Sequence, residues 1–90
     1  MKVLITGGSG FIGTNVVEFY RVRGSMVLNL DINKPKREDH LHYWKQCDIN
    51  HLKYLTEIIK TYDPNIVIHL AARTDLEGKI PQDYKTNTKG

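Results

Sequence analysis

The sequence contains little cysteine, no long hydrophobic run and no large excess of charge of either sign. The single cysteine, Cys47, excludes an internal disulfide, and no spacing of cysteines and histidines indicates a zinc site. We therefore expect a cytoplasmic protein without a bound metal. The longest nearly apolar stretch, residues 66–72, has seven residues and includes a histidine. Because a membrane-spanning helix needs about 20 apolar residues, the sequence predicts no membrane association of that kind.

The charge of the chain is close to balanced. The formal net charge is +3, and much of the basic excess lies in one run, Lys34-Pro35-Lys36-Arg37. Short basic runs usually belong to solvated loops, so we do not expect nucleic-acid binding from the charge of the chain. A nucleic-acid or protein interaction module that uses this loop remains an alternative.

The composition indicates one small globular domain over residues 1–90. Hydrophobic residues make up 40% and charged residues 26%, which is too apolar and too mixed in charge for a wholly disordered chain. Apolar runs and helical spacing alternate along the sequence. The pattern predicts strands at 2–6, 26–30, 41–47 and 66–70, with helices over 11–23, from about 50 to the Asp63-Pro64-Asn65 stop, and from Pro81 toward Asn87.

This alternation predicts an α/β fold of the Rossmann type. Parallel strands joined by right-handed crossover helices give the strand order 3-2-1-4, with helices on both faces of a truncated doubly wound sheet. The strand at 66–70 is then an outer strand although it is apolar on both faces. An open apolar edge can pair with another chain, so we expect the chain to self-associate there.

The strongest motif is the glycine-rich segment Thr6-Gly7-Gly8-Ser9-Gly10-Phe11-Ile12-Gly13. It follows a predicted strand and opens a predicted helix, which is the context of a dinucleotide-binding loop. Gly7 or Gly8 permits the tight turn, Gly10 leaves room for a pyrophosphate at the backbone, and Gly13 lets the helix approach the sheet. A phosphate-loop NTPase is excluded, because Thr14 stands where that motif requires lysine.

Asp31 ends the second predicted strand. Its carboxylate can accept hydrogen bonds from the two hydroxyls of an adenosine ribose and would repel a 2′-phosphate, which favours NAD over NADP. Asp31 could instead only start a turn. Lys34, Lys36 or Arg37 could also reach a 2′-phosphate, so NADP remains the less favoured alternative.

Together these segments resemble the N-terminal portion of the extended short-chain dehydrogenase/reductases, of the NAD-dependent epimerase/dehydratase type that acts on nucleotide sugars. The resemblance rests on the glycine motif, Asp31, Cys47-Asp48-Ile49, His69-Leu70-Ala71-Ala72 and Asn87-Thr88-Lys89-Gly90. It implies an NAD-binding portion of a nucleotide-sugar epimerase or dehydratase, with a homodimeric parent enzyme. The cofactor-binding residues that we expect are Gly7, Gly10, Phe11, Ile12, Gly13, Asp31, Asp48, Ile49, Leu70, Ala71 and Ala72.

The resemblance also implies particular roles for some of these residues. Asp48 would bond the adenine amine beside Ile49, although Asp48 could also be the N-cap of the second helix. Ala71 and Ala72 would leave room for the cofactor. His69 lies inside a buried strand, and we interpret it as structural. Asn87 would have a packing or hydrogen-bonding role in the last helix.

The sequence departs from the family in one respect. These enzymes remove a substrate proton with a Tyr-x-x-x-Lys pair, and no tyrosine of this chain has lysine four residues later. We therefore expect a fragment of a longer enzyme that has no catalytic residue of its own and is inactive alone. A non-catalytic module that senses NAD(P) is a further alternative.

Overall fold

The computed structural model describes residues 1–71 and 85–88. Its elements are β1 (Lys2–Thr6), α1 (Phe11–Val22), β2 (Met26–Asp31), a 3-10 helix (Glu38–Tyr43), β3 (Trp44–Gln46), α2 (Leu52–Tyr62), β4 (Ile66–His69) and β5 (Lys85–Thr88). The predicted alternation of strands and helices is confirmed as far as β4. Neither α-helix in this part of the chain has the length and apolar content that crossing a membrane requires.

The strands form one parallel sheet in the order β3-β2-β1-β4-β5. Val3 of β1 is in register with Val27 of β2 on one side and with Ile66 of β4 on the other. The predicted order 3-2-1-4 is therefore confirmed for the first four strands. The carboxyl ends of these strands all meet at one edge of the sheet, where ligands bind in open α/β sheets.

The two α-helices cover opposite faces of the sheet. Val3 and Ile5 pack with Val17 of α1, whereas Leu4, which lies between them on β1, packs with Ile59 of α2. Successive side chains of a strand point to opposite faces, so the continuous apolar run of β1 is buried on both. This confirms the predicted layered arrangement.

The sequence predicted the end of α2 correctly but not the residue that caps its start. The helix ends at Tyr62, and Asp63 adopts a left-handed conformation with φ of 53° just before Pro64. At the start of the helix, the His51 side chain accepts a hydrogen bond from the backbone N–H of Tyr54. His51 is therefore the N-cap, and the alternative assignment of Asp48 as the cap is wrong.

The predicted strand at 41–47 is largely wrong. Residues 41–43 belong to the 3-10 helix, and β3 contains only Trp44–Gln46. Contacts with other elements fix this segment: the His40 ring lies 3.0 Å from a Glu18 carboxylate oxygen on α1, and the Trp44 indole donates to the Asp31 carbonyl. These contacts join residues far apart in the sequence, so the local sequence pattern could not predict them.

The predicted helix toward Asn87 is also wrong at its end. Residues 85–88 form β5, which pairs with β4 so that Asn87 is in register with Ile68. The expected open edge at 66–70 is therefore covered by a fifth strand, and its self-association is no longer expected. Pro81, the predicted start of that helix, lies outside the described residues.

Candidate functional site

The carboxyl edge of the sheet contains a small cavity. Its volume is about 70 Å³, and it is lined by Gly7, Leu30, Asp31, Ile32, Cys47, Ile49 and Ala71. These residues come from the ends of β1, β2 and β4 and from the segment after β3, so the fold brings together positions far apart in sequence. Gly7, Asp31, Ile49 and Ala71 were expected from the sequence, whereas Leu30, Ile32 and Cys47 were not. The missed residues are direct neighbours of Asp31 and Asp48 in the sequence, and Cys47 also belongs to the Cys47-Asp48-Ile49 segment.

The glycine loop is shaped by close backbone packing. Gly7 has a φ of +77°, and a Cβ added there would lie 2.8 Å from the amide nitrogen of Ala71. A Cβ on Gly8 would lie 2.5 Å from the Asn29 side chain, and a Cβ on Gly13 would collide with the backbone of Gly7 and Gly8. Three of the four glycines are therefore required by the folded chain itself.

Gly10 differs from the other glycines of the loop. It is exposed and has an extended conformation, with φ of −76° and ψ of −178°, that any residue adopts. The nearest atom to an added Cβ would be the Gly7 carbonyl oxygen at 3.7 Å. Nothing in the fold of the free chain demands glycine here, so the space beside it is available to a ligand.

Gly10 is also the N-cap of α1. It provides no side-chain cap, and the first turn of the helix contains no acidic residue. The first N–H groups of an α-helix have no partner within the helix, and they attract anions together with the helix dipole. Phe11 and Ile12, which begin this turn, are 81% and 58% exposed. An anion beside Gly10 would therefore meet backbone donors without a competing carboxylate in the first turn.

Asp31 connects the end of β2 to two neighbouring backbone segments. One carboxylate oxygen accepts the N–H of Ser9 at 3.0 Å, and the other accepts the N–H of Asn33 at 2.9 Å. The residue is half-buried at the cavity. Asp31 therefore does start a turn, and its position also suits a hydroxyl-bearing ligand because each carboxylate oxygen can accept a further hydrogen bond.

The segment after β3 contributes a buried thiol and an apolar wall. Cys47 and Ile49 are buried, whereas Asp48 between them is exposed and accepts the N–H of Asn50 at 2.9 Å. Burial, with a smaller contribution from the Asp48 charge, raises the pKa of the Cys47 thiol. Cys47 is thus an uncharged lining residue at neutral pH, and Asp48 lies beside the cavity without lining it.

The remaining residues singled out from the sequence lie at the end of β4 and directly after it in the sequence. Leu70 and Ala71 are half-buried after β4, and Ala72 lies outside the described residues. His69 is buried, and its Nδ1 lies 2.7 Å from the Thr6 hydroxyl, which agrees with a structural role.

Sequence inspection missed Asn29, a polar residue inside β2, which is otherwise apolar up to its last residue, Asp31. Its side chain is buried, accepts the N–H of Gly8 at 2.8 Å and donates to the Ser9 hydroxyl at 3.1 Å. An asparagine inside a buried strand was the available signal, because a buried side-chain amide needs hydrogen-bond partners from neighbouring segments.

A charged cluster lies on the α1 face of the sheet, formed by Glu18, Arg21, Arg37, Asp39 and His40. Hydrogen bonds from Arg21 first, and then from His40, lower the pKa of Glu18 to about 2. Glu18, Asp39 and His40 lie close enough together to resemble a metal site, but Arg21 and Arg37 form ion pairs with both carboxylates. The guanidinium groups already supply the positive charge that a metal would supply.

Comparison with known proteins identifies relatives of the whole described region. A sequence model of the NAD dependent epimerase/dehydratase family matches residues 3–89. A UDP-glucuronate 4-epimerase of Thermodesulfobacterium geofontis is 34% identical over 90% of this chain and 29% of its own length. A probable dTDP-glucose 4,6-dehydratase of Sinorhizobium fredii is 31% identical over 100% of this chain and 29% of its own.

A solved structure gives the same result. The short chain dehydrogenase of Leptospira borgpetersenii with bound NAD+ superposes with a TM-score of 0.70 and 35% identity, over 80% of this chain and 31% of that protein. The chain therefore spans about three tenths of the length of these relatives.

Proposed function

Since this chain belongs to the NAD-dependent epimerase/dehydratase family, we propose that it is the NAD-binding portion of an enzyme that acts on a nucleotide sugar. The observation that supports this most directly is Gly10, whose missing side chain leaves open space at the start of α1 although the fold does not require glycine there. Relatives that match the same region include a nucleotide-sugar epimerase and a protein with bound NAD+.

The loop and the first turn of α1 would hold the pyrophosphate. The N–H groups of Phe11 and Ile12 belong to the first turn of the helix, so they are free of intrahelical bonds and point toward its N-terminal end. Gly10 allows the phosphates to approach this backbone closely. Gly7 and Gly13 keep the loop and the helix near the sheet.

Residues that line the cavity at the carboxyl edge would contact the adenosine. Asp31 would accept the hydroxyls of the ribose, and Ile49 with Ala71 would form apolar walls. Asp48, exposed beside the cavity, would accept a hydrogen bond from the adenine amine. Leu70 and Ala72 complete the proposed set on the side of β4.

Two observations favour NAD over NADP. The Asp31 carboxylate would repel a 2′-phosphate, because like charges brought together cost several kcal/mol. Arg37, one of the cations that could offset this repulsion, is held by two hydrogen bonds of 2.6 and 2.9 Å to Asp39.

Residues 1–90 would form the N-terminal part of the NAD-binding domain of a longer, cytoplasmic enzyme. When bound, NAD would supply hydride transfer at a sugar carbon, while the residues of this chain would bind and orient the cofactor. The proton-transferring Tyr-x-x-x-Lys pair is absent from residues 1–90, so catalysis would depend on further residues. A homodimeric enzyme remains a prediction from the family resemblance.

The proposal is tested by titrating the chain with NADH and following the fluorescence of the nicotinamide. We expect Gly10→Val to weaken binding by at least about tenfold, since losing even one charge-assisted phosphate contact has that effect. Valine fits the backbone conformation and the open space at position 10, so the variant should fold normally, which far-UV circular dichroism checks.

Thr61→Val is the matched control, because it places the same side chain on the exposed side of α2. This variant should bind NADH as the unchanged chain does. Equal affinities of the Gly10→Val variant and the unchanged chain would overturn the assignment of the loop.

A further inference from the structure

Three successive N–H groups of the glycine loop donate hydrogen bonds to three successive residues of β2. Gly7 donates to the Leu30 carbonyl at 2.9 Å, Gly8 to the Asn29 side chain at 2.8 Å, and Ser9 to the Asp31 carboxylate at 3.0 Å. The first half of the loop is therefore fastened to the neighbouring strand. At Gly10, where the second half begins, an added Cβ would meet only the Gly7 carbonyl oxygen at 3.7 Å, so open space lies beside this residue.

Of these three β2 residues, Asn29 is the one whose side-chain hydrogen bonds within the described residues are all with the glycine loop. Leu30 also packs in the core, and Asp31 also accepts the N–H of Asn33. Both hydrogen bonds of the Asn29 side chain, in contrast, go to the loop: one from the Gly8 N–H and one to the Ser9 hydroxyl. Burying an amide in the middle of a strand is costly unless it is fully bonded, and here the bonds hold the loop.

We propose that Asn29 is a positioning residue that fixes the phosphate-binding loop in its binding shape before a dinucleotide arrives. This rests on the proposed function. Through Ser9, Asn29 also links the loop to Asp31, the residue proposed to hold the ribose, so one side chain sets the distance between the two parts of the ligand site. A loop that is already ordered loses less entropy on binding than a loop that is ordered by its ligand.

The first test uses no cofactor. Amide hydrogen exchange is measured on the full chain and on its Asn29→Ala variant. We expect exchange at residues 7–10 to rise by at least about tenfold, while exchange in β1 and α2 stays within about twofold. Asn65→Ala is the matched control, since that asparagine also accepts a backbone N–H, from Lys2 at 2.7 Å, but at the opposite end of the sheet.

The second test separates positioning from general stability. Adenosine and ADP-ribose are each allowed to compete with NADH, and their affinities are compared in the unchanged chain and in the variant. We expect Asn29→Ala to weaken ADP-ribose by about tenfold or more and to change adenosine by less than about threefold. A merely structural role would lower both affinities together or neither.

A third variant approaches the same contact from the loop. Gly8→Ala places a Cβ 2.5 Å from the Asn29 side chain and leaves the strand unchanged. It should weaken ADP-ribose strongly by itself. In the Asn29→Ala background the space is open, so adding Gly8→Ala should have little further effect, and this non-additivity is the signature of a direct contact.

The proposal is overturned if exchange rises equally throughout the Asn29→Ala chain, if the ratio of the two affinities is unchanged, or if the two substitutions have additive effects. Failure of the unchanged chain to bind NADH or ADP-ribose would contradict the proposed function instead. The exchange measurement would still decide whether Asn29 orders the loop.

Discussion

At the scale of single residues, the negative charge of Asp31 should decide whether NAD or NADP binds more tightly. Asp31→Asn keeps the size of the side chain and one acceptor oxygen but removes the negative charge. We expect NADH to bind roughly tenfold more weakly, because the ribose loses a charge-assisted hydrogen bond. NADPH should bind more tightly than before, because the repulsion of its 2′-phosphate disappears.

Titration of both reduced cofactors measures this change in preference. Asp63→Asn is a suitable control, since asparagine tolerates the left-handed conformation at that position. If the unchanged chain prefers NADPH, Asp31 does not exclude the phosphate, and Lys34, Lys36 or Arg37 would have that role.

Sequence inspection recognised the site residues that belong to a local sequence motif. It missed the residues that reach the site only through tertiary contacts. The glycines and Asp31 could be predicted because a strand, a turn and a helix follow one another within a few residues. Asn29 is separated from Gly8 by the whole of α1, and only the pairing of β1 with β2 brings them together. Cys47 reaches the cavity because β3 pairs with β2, and Ile32 directly follows β2. Neither has a residue type that indicates a ligand.

At the scale of elements, the charged cluster joins α1 to the 3-10 helix. Glu18 lies on α1 with Arg21, while Arg37, Asp39 and His40 come from the start of the 3-10 helix and the residue before it. The cluster thereby fixes the segment that follows Asp31. His40 contacts Glu18 from within the 3-10 helix that also contains residues 41–43.

We expect the stability gained from this cluster to depend on pH. Hydrogen bonds from Arg21 and His40 lower the pKa of Glu18 from its ordinary value of 4.5 to about 2 in the folded chain. A lowered folded-state pKa contributes stability that is present above pH 4.5 and is lost as the pH falls toward 2. Glu18→Gln should therefore be less stable than the unchanged chain at pH 7, with the difference shrinking through that acidic range.

Urea unfolding of both chains at several pH values measures this difference, and Glu57→Gln on the exposed side of α2 is the control. The contribution should be modest at pH 7, because the carboxylate is partly exposed and solvent screens the ion pairs. A difference between the two chains that stays constant from pH 7 to about 2 would show that the ion pairs do not stabilise the fold.

At the scale of the whole molecule, the outer strands of the sheet within the described residues are β3 and β5. β3 has three residues, and β5 has the polar sequence Lys-Thr-Asn-Thr. Polar and charged residues on an edge strand discourage pairing with other chains. The apolar strand β4 lies inside the sheet, between β1 and β5. The sequence predicted β4 as the outer strand because no local pattern marks β5, whose place depends on pairing with β4.

This arrangement predicts how the state of association should change with length. The chain of residues 1–90 should sediment as a monomer over a range of concentrations. A chain that ends after residue 71 lacks β5 and exposes the free edge of β4, with its unpaired N–H and C=O groups and apolar side chains. We expect this shorter chain to form dimers or larger species as its concentration rises.

A variant of the shorter chain identifies the responsible edge. Ile66→Lys places a charge on the half-buried first residue of β4, and a charged residue on a free edge should reduce the association. The same substitution in the chain of residues 1–90 should not change its monomeric state. Concentration-dependent association of the longer chain, equal to that of the shorter one, would contradict the protection of β4 by β5.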